Sequence, residues 1–328
     1  MVSYIVRRFL TMIPTLFVIS IIAFVIIQLP PGDFLTTHIA QLEASGDAIS
    51  QSEVEALRQR YGLGEPIYVQ YFKWISGVFV GDFGYSFEWN QPVGALIWSR
   101  IGLTLVVSIS ALLFSWVIAF PIGVYSAMKQ HSVGDYVATF IGFLGLSIPN
   151  FLLALILMYG GYRFFGMSIG GLFSPEFVDA PWSFARFMDM LSHIWIPMVV
   201  VGTAGTAGLI RIMRNNLLDE LGKQYVVTAR AKGLPLHRVI IKYPLRLALI
   251  PFVSTAGWLL PTLISGAAIV SVVLNLPTTG PLLLRALLGQ DMYLAGSFTL
   301  LLASLTVLGT FVSDLILLAI DPRMAYNA

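Results

Sequence analysis

Six stretches of this chain, 9–29, 101–128, 136–162, 194–210, 247–284 and 292–313, are long, apolar and free of Lys, Arg, Asp and Glu. A hydrocarbon core about 30 Å thick takes about 20 apolar helical residues to cross. In lipid every backbone polar group must be bonded within its own segment, so uniformly apolar stretches of this length predict helices. A transmembrane barrel would need segments of about 10 residues with alternating polarity, and that alternation is missing. The pattern predicts an all-α integral membrane protein with six transmembrane helices.

Proline and glycine set the finer divisions. Pro30-Pro31-Gly32-Asp33 halts the first helix and opens a polar segment reaching about Ser99. Within it, Ser50-Gln51-Ser52-Glu53 starts a short helix in capping-box fashion, closing near Gly62. Pro66 starts a second helix through Tyr71, Phe72, Trp74 and Ile75, whose aromatic stripe is expected at the membrane interface or against the spans. Gly81-Asp82-Phe83-Gly84 predicts a turn, and Pro92 another short amphipathic helix leading into the second span. The expected division is therefore 1–99, a first span with a small helical insertion, and 100–328, a five-helix remainder carrying a polar loop at 211–248. The insertion is too short for an independent enzyme domain, and a lid or docking surface is expected.

Pro121 and Pro149, the latter within Leu146-Ser147-Ile148-Pro149-Asn150, lie inside expected spans. Such prolines free a carbonyl and kink the helix; a hinge and static packing are both open. Gly202-Thr203-Ala204-Gly205-Thr206-Ala207-Gly208 offers a surface almost without side chains, which suits close helix contact in lipid and is compatible with a narrow channel. The loop 166–193 mixes Pro175, Pro181, Trp182 and Phe184, as an interfacial aromatic belt does. Asn275-Leu276-Pro277-Thr278-Thr279-Gly280-Pro281 is too apolar for a free loop and is expected to turn back toward the bilayer. Asp314, at the end of the sixth span, is expected to be a paired helix-end charge.

Composition agrees with a chain solvated by lipid: 57% hydrophobic and 11% charged residues, with a mean hydropathy of +0.83. Cysteine is absent, which excludes disulfides, thiolate metal sites and Cys nucleophiles. Arg7 and Arg8 before the first apolar run resemble an export signal, but the run is too long and no small-residue cleavage site follows. An uncleaved first span is expected. If the N-terminus is cytoplasmic, the inner segments carry Arg7, Arg8, Lys129, Arg211, Arg214, Lys223, Arg230, Lys232, Arg238, Lys242, Arg246 and Arg323. The outer ones carry only Arg58, Arg60, Lys73, Arg100, Arg163, Arg186 and Arg285. By the positive-inside rule both termini are cytoplasmic.

The loop 211–248 is the informative polar segment. Residues 224–232 have helical composition, Gly233 suits the left-handed position after a helix end, and Pro235 prevents continuation. A second amphipathic helix follows, with Val239, Ile240, Ile241, Leu245 and Leu249 apolar and Arg238, Lys242 and Arg246 polar. The result is a rigid knob, although the positive-inside rule alone would account for its cations. Tyr225-Val226-Val227-Thr228-Ala229-Arg230-Ala231-Lys232-Gly233-Leu234 resembles the coupling-loop motif of binding-protein-dependent ABC importer permeases of the dipeptide/oligopeptide/nickel family. The likeness extends to Arg7-Arg8 with Pro31-Gly32-Asp33, to Gly81-Asp82-Phe83-Gly84-Tyr85-Ser86 with Pro92-Val93, to Ser147-Ile148-Pro149 and to Asp321-Pro322-Arg323. Three departures stand out. Val227 and Thr228 replace the acidic residue and first Ala that open the motif, and Leu247 stands where the family often has Asn. Ser271 and Pro277-Thr278-Thr279-Gly280 replace its last external Glu and Pro-Gly.

That resemblance implies a type I ABC importer permease with a periplasmic helical insertion after helix 1, in the bacterial inner membrane. It implies a heterodimer with a second, homologous permease, two ABC ATPase subunits inside and a solute-binding protein outside. Ala229, Arg230, Ala231, Lys232, Gly233, Leu234 and Pro235 would sit in a groove of an ATPase. Pro149, Asn150, Gly205 and Ser271 are candidates for the solute pathway. No GxxxxGK[ST] segment is present to hold ATP, so ATP would be used by the partner subunits and no cofactor is expected on this chain. Nearly charge-free spans also argue against proton coupling. His38, His131, His193 and His237 are scattered, without metal-ligand spacing such as HExxH. No metal, catalytic role or nucleic-acid partner is expected. The implied cargo is an oligopeptide or related small solute. Oligosaccharides, opine-like compounds and nickel are the family's other cargoes, and a passive channel or ion-coupled carrier is the reading from another class.

Overall fold

The computed structural model describes residues 2–28, 65–86, 88–166 and 170–320. The expected helix stop at 30–33, the short helix within 50–62 and the terminal Asp321-Pro322-Arg323 lie outside the described residues. In chain order the helices are α1 (Val2–Gln28), α2 (Ile67–Phe79), α3 (Val93–Met128), α4 (Val133–Ser147), α5 (Asn150–Phe165), α6 (Phe184–Leu221), α7 (Gln224–Ala231), α8 (Leu236–Lys242), α9 (Pro244–Ser254), α10 (Ala256–Val273), α11 (Thr279–Leu288) and α12 (Met292–Ile320). A two-stranded antiparallel ladder, β1 (Tyr85–Ser86) with β2 (Gln91–Pro92), precedes α3.

Among the described residues, α1, α3, α6 and α12 each contain an unbroken stretch long and apolar enough to cross a bilayer. The expected span 136–162 is instead a pair, α4 and α5, bent by 98°. Its cause is local: Ile148 takes an extended conformation (φ −85°, ψ 120°), as a residue before proline must, and Pro149 then caps α5. The expected span 247–284 is likewise divided. Thr255 N–H bonds the Phe252 carbonyl three residues back (3.2 Å) rather than four, α10 restarts at Ala256, and α11 is a separate helix. Two expected boundaries dissolve. The short helix after Pro92 is the first part of the 36-residue α3, and the fourth span is the middle of the 38-residue α6.

The helices form two compact units. One comprises Met1–Arg8, Leu103–Pro277 and Leu308–Ala328. Its core is organised on α6, which packs against α4, α5, α9 and α10. The small residues of α6 make this possible. A Cβ on Gly202 would lie 2.7 Å from Phe114 and 2.9 Å from the Ala111 carbonyl, and one on Gly145 of α4 would lie 2.6 Å from Thr203. Ser115 Oγ of α3 donates across to the Gly202 carbonyl at 2.7 Å, an interhelical bond of the kind worth about 1 kcal/mol in lipid. Val107, Val200, Leu209, Met213, Leu217, Phe252 and Val270 fill the space between. Asp314 of α12 accepts from Arg8 Nε at 2.6 Å, so it is paired as expected, but it lies six residues before the last described residue of the helix rather than at its end.

The other unit comprises Phe9–Gly102 and Thr278–Val307. Here Tyr71 and Trp74 of α2 are buried against Phe24 of α1, Trp74 stacking on it at 5.5 Å. Trp74 Nε1 donates to Ser297 Oγ at 3.0 Å, and Tyr71 bonds Ser20 at 2.8 Å. The aromatic stripe on α2 therefore packs against helices, with Phe72 left exposed. In the turn before β1, Gly81 and Gly84 both have φ near +84°, and Asp82 Oδ1 accepts from Gly84 N–H at 2.9 Å. Asp291, fully buried, accepts from Ser86 Oγ at 2.5 Å and from Leu294 N–H at 3.2 Å; it thereby caps α12 and pins the ladder.

Candidate functional site

The segment after α6 folds as a helix, a sharp turn and a helix. Gly222 and Lys223 alone separate α6 from α7, and Tyr225 ties the two together by donating to Glu220 Oε2 at 2.5 Å. Burial, then the adjacent Glu220 carboxylate, pushes the Tyr225 phenol well above its usual range, so it stays protonated and keeps donating. The turn is a complete Schellman closure. Gly233 has φ +78°, its N–H bonds the Arg230 carbonyl at 2.9 Å, and Leu234 N–H bonds the Ala229 carbonyl at 3.4 Å. Pro235 caps α8 and cannot extend α7. Val226, Ala229 and Val239 form a small core between α7 and α8, with Tyr225 packed on it.

This geometry sorts the candidate residues. Ala229 faces inward, 8% exposed, and holds the knob together. Arg230, Ala231, Lys232, Gly233, Leu234 and Pro235 form an exposed run along its tip. Val227, Leu236 and Ile241 are exposed apolar neighbours. Arg230, Lys232, His237, Arg238 and Arg246 have no ion-pair partner among the described residues. A stiff tip carrying free cations and solvent-facing apolar side chains has the composition of a protein-docking surface.

Two cations assigned to this loop from the sequence belong to α6 instead. Arg211 lies over the Phe143 ring at 5.1 Å, and Arg214 Nη2 donates to Asp135 Oδ2 at 3.1 Å. Their positions beside an apolar stretch concealed that the helix continues to Leu221. Asp135 escaped sequence reasoning, although the Ser132-x-x-Asp135 spacing signals the cap it sits in; Ser132 Oγ accepts from Asp135 N–H at 3.2 Å.

The pathway candidates are dispersed. Pro149 and Asn150 stand at the α4–α5 bend. Gly205 packs toward Leu259, 3.1 Å from the position of a Cβ, and Ser271 is buried on α10. No hydrogen bond joins any two of the four among the described residues. A cavity of about 440 Å³ lies elsewhere, lined by Lys73, Trp74, Asp82, Gly84, Tyr85 and Tyr293 among others; the run 81–86 stood out in the sequence as a turn and a family-like motif, not as the wall of a cavity. No group of three or more His, Cys, Asp or Glu suited to a metal occurs among the described residues.

Comparison with known proteins gives consistent results over the whole chain. The family described as "Binding-protein-dependent transport system inner membrane component" matches residues 119–326, and its N-terminal companion matches residues 1–109. The oligopeptide transport system permease protein AppB of Bacillus subtilis is 36% identical, over 99% of this chain and 100% of that protein. OppB of Haemophilus influenzae, an oligopeptide permease, is 31% identical over 99% and 100%. DppB of Escherichia coli K12, a dipeptide permease, is 30% identical over the full length of both. Among solved structures, an inward-facing form of the MetNI methionine ABC transporter aligns with a TM-score of 0.52 and 21% identity, over 66% of this chain and 93% of that one. That likeness is one of fold.

Proposed function

The chain belongs to the binding-protein-dependent transport system inner membrane component family, and from that premise we propose that it is the transmembrane permease subunit of an ATP-driven importer of oligopeptides. The cargo follows the full-length relatives, which are named for oligopeptides and dipeptides. Energy comes from separate ATPase subunits, a solute-binding protein delivers cargo on the opposite side, and a second, homologous permease completes a heterodimer. Both termini are cytoplasmic, as is the knob. Pro149, Asn150, Gly205 and Ser271 remain the proposed pathway residues, the first two at the bend, where a change of angle would open or close a route.

The observation that carries this reading is the knob itself. Its cations face outward without ion-pair partners among the described residues, its turn is fixed by Gly233, and Tyr225 joins it to the 38-residue α6. An ATPase surface presenting carboxylates or carbonyls around an apolar groove would fit Arg230, Lys232 and Leu234. Closure of the two ATPases would then move α6 directly. Reconstitution tests it: the permease pair with its ATPases and binding protein in proteoliposomes is expected to accumulate a labelled oligopeptide only when ATP is supplied. Uptake by the permeases alone, at the same rate, overturns the proposal in favour of a passive or ion-coupled carrier.

A further inference from the structure

Arg214 and Asp135 join the knob-bearing helix to α4, and we propose that they are positioning residues for transport: a clamp that makes α4 travel with α6, so that displacement of the knob reaches the bend between α4 and α5. The inference rests on the reading of the knob as the ATPase-driven element.

The contacts between α4 and α6 form one antiparallel seam. At one end is the ion pair, Arg214 Nη2 to Asp135 Oδ2 at 3.1 Å. Next come Arg211 over the Phe143 ring at 5.1 Å and Gly142, whose absent Cβ would lie 3.5 Å from Ala207. At the far end, a Cβ on Gly145 would be 2.6 Å from Thr203 Cγ2. The charged end lies seven residues, about 10 Å, from the last residue of α6. The glycine end lies two residues before Ser147, where α4 stops and the chain bends by 98°. The seam thus runs from beside the knob to beside the bend.

The ion pair, with Arg211 over Phe143 beside it, is what fixes register along it. Glycine against Ala207 or Thr203 allows close approach but places little directional constraint on sliding. Asp135 is 3% exposed, and its Oδ2 also accepts from His131 N–H at 3.0 Å, so the α3–α4 turn is gathered into the same clamp. Separating the partners would leave a carboxylate buried and uncompensated, a far larger penalty than moving both helices together. The positive-inside rule does not account for this arrangement, because any exposed Lys would satisfy it.

The test uses the complete importer in proteoliposomes and measures solute moved per ATP hydrolysed. Arg214→Gln and Asp135→Asn are expected to keep hydrolysing ATP while transport per ATP falls about five- to tenfold, a loss in the range of measured inter-site couplings. Arg214→Lys, and the charge-exchanged pair Asp135→Arg with Arg214→Asp, are expected to recover most of it. Because the chain has no native Cys, spin labels on Tyr136→Cys and Lys223→Cys, in a complex whose partner subunits are cysteine-free, report the α4–knob separation directly. That separation is expected to stay constant between nucleotide-free and ATP-bound complexes, and to change between them once Arg214→Gln is added. Unaltered transport per ATP in the single variants overturns the clamp. So does a separation that already changes with Arg214 in place, or a parallel loss of hydrolysis and transport with loss of assembled complex. An unsubstituted importer that moves solute without ATP strikes instead at the reading of the chain as a permease.

Discussion

Gly233 is where one residue's backbone freedom carries most consequence. A Cβ there meets nothing within 4 Å, so packing does not require glycine; φ +78° does. An L-residue in that region costs about 1–2 kcal/mol, more when β-branched, while Asn tolerates it best among the rest. Uptake is therefore expected to fall in the order Gly, Asn, Ala, Val. Gly233→Val should abolish transport while the permease stays folded and present in the membrane. Wild-type uptake by that variant, with abundance checked by immunoblot, would remove Gly233 from the coupling role. Glu88 gives a second residue-level expectation. Partial desolvation of its carboxyl, then the neighbouring Asp291, raises it above the ordinary 4.5, with Arg285 opposing. A raised carboxyl pKa means the fold favours the protonated form, so the penalty is absent below pH 4.5 and grows as pH rises through the shifted value. Glu88→Gln is thus expected to raise the thermal midpoint at pH 7.5 and to match wild type at pH 4. Glu88 is exposed, and solvent screening holds the gain below about 0.5 kcal/mol. A larger gain at the acid end would contradict the sign.

At the level of elements, α6 offers a paired comparison. A methyl on Gly202 must displace the Ala111 carbonyl, 2.9 Å away, whereas one on Gly208 meets nothing within 4 Å. Overpacking against backbone costs about 1–3 kcal/mol, while Ala for Gly in a helix interior contributes about 0.5–1 kcal/mol. Gly202→Ala should lower, and Gly208→Ala slightly raise, the unfolding midpoint of the detergent-solubilised chain; equal effects would mean that the α3–α6 approach is looser than it stands here. The same helix shows what the sequence could reveal. Its run of small residues announced a close approach, and Gly233 with Pro235 announced the turn beyond it, because both depend on residue type alone. Its length was hidden: an apolar stretch ending at Arg211 looks like a span meeting water, and only Phe143 and Asp135, far away in sequence, make those cations helical and paired. The bend at Pro149 was legible as a break but its 98° was not, since a proline removes a bond without choosing a direction. Within 247–284 uniform apolarity left no mark at Thr255 from which a division could be read.

For the molecule as a whole, orientation is the property on which the other roles depend. The two ends of the functional reading, a knob gripped inside and an insertion facing the binding protein, require residues 224–242 and 65–86 to lie on opposite sides of the membrane. The bias is electrostatic: of the 19 Lys and Arg, all of those from Arg211 to Arg246 fall in segments assigned inside, and translocating them would oppose it. The absence of native Cys makes the test clean. Ser76→Cys, on the exposed face of α2, and Lys232→Cys, at the exposed cap of α7, each supply one thiol. A membrane-impermeant maleimide added to intact cells with a permeabilised outer boundary is expected to label Ser76→Cys fully and Lys232→Cys only at background. Both should label once the inner membrane is opened. Labelling of Lys232→Cys from outside would place the knob beyond reach of any nucleotide-hydrolysing partner. The clamp, the bend and the turn would then have no motor to serve.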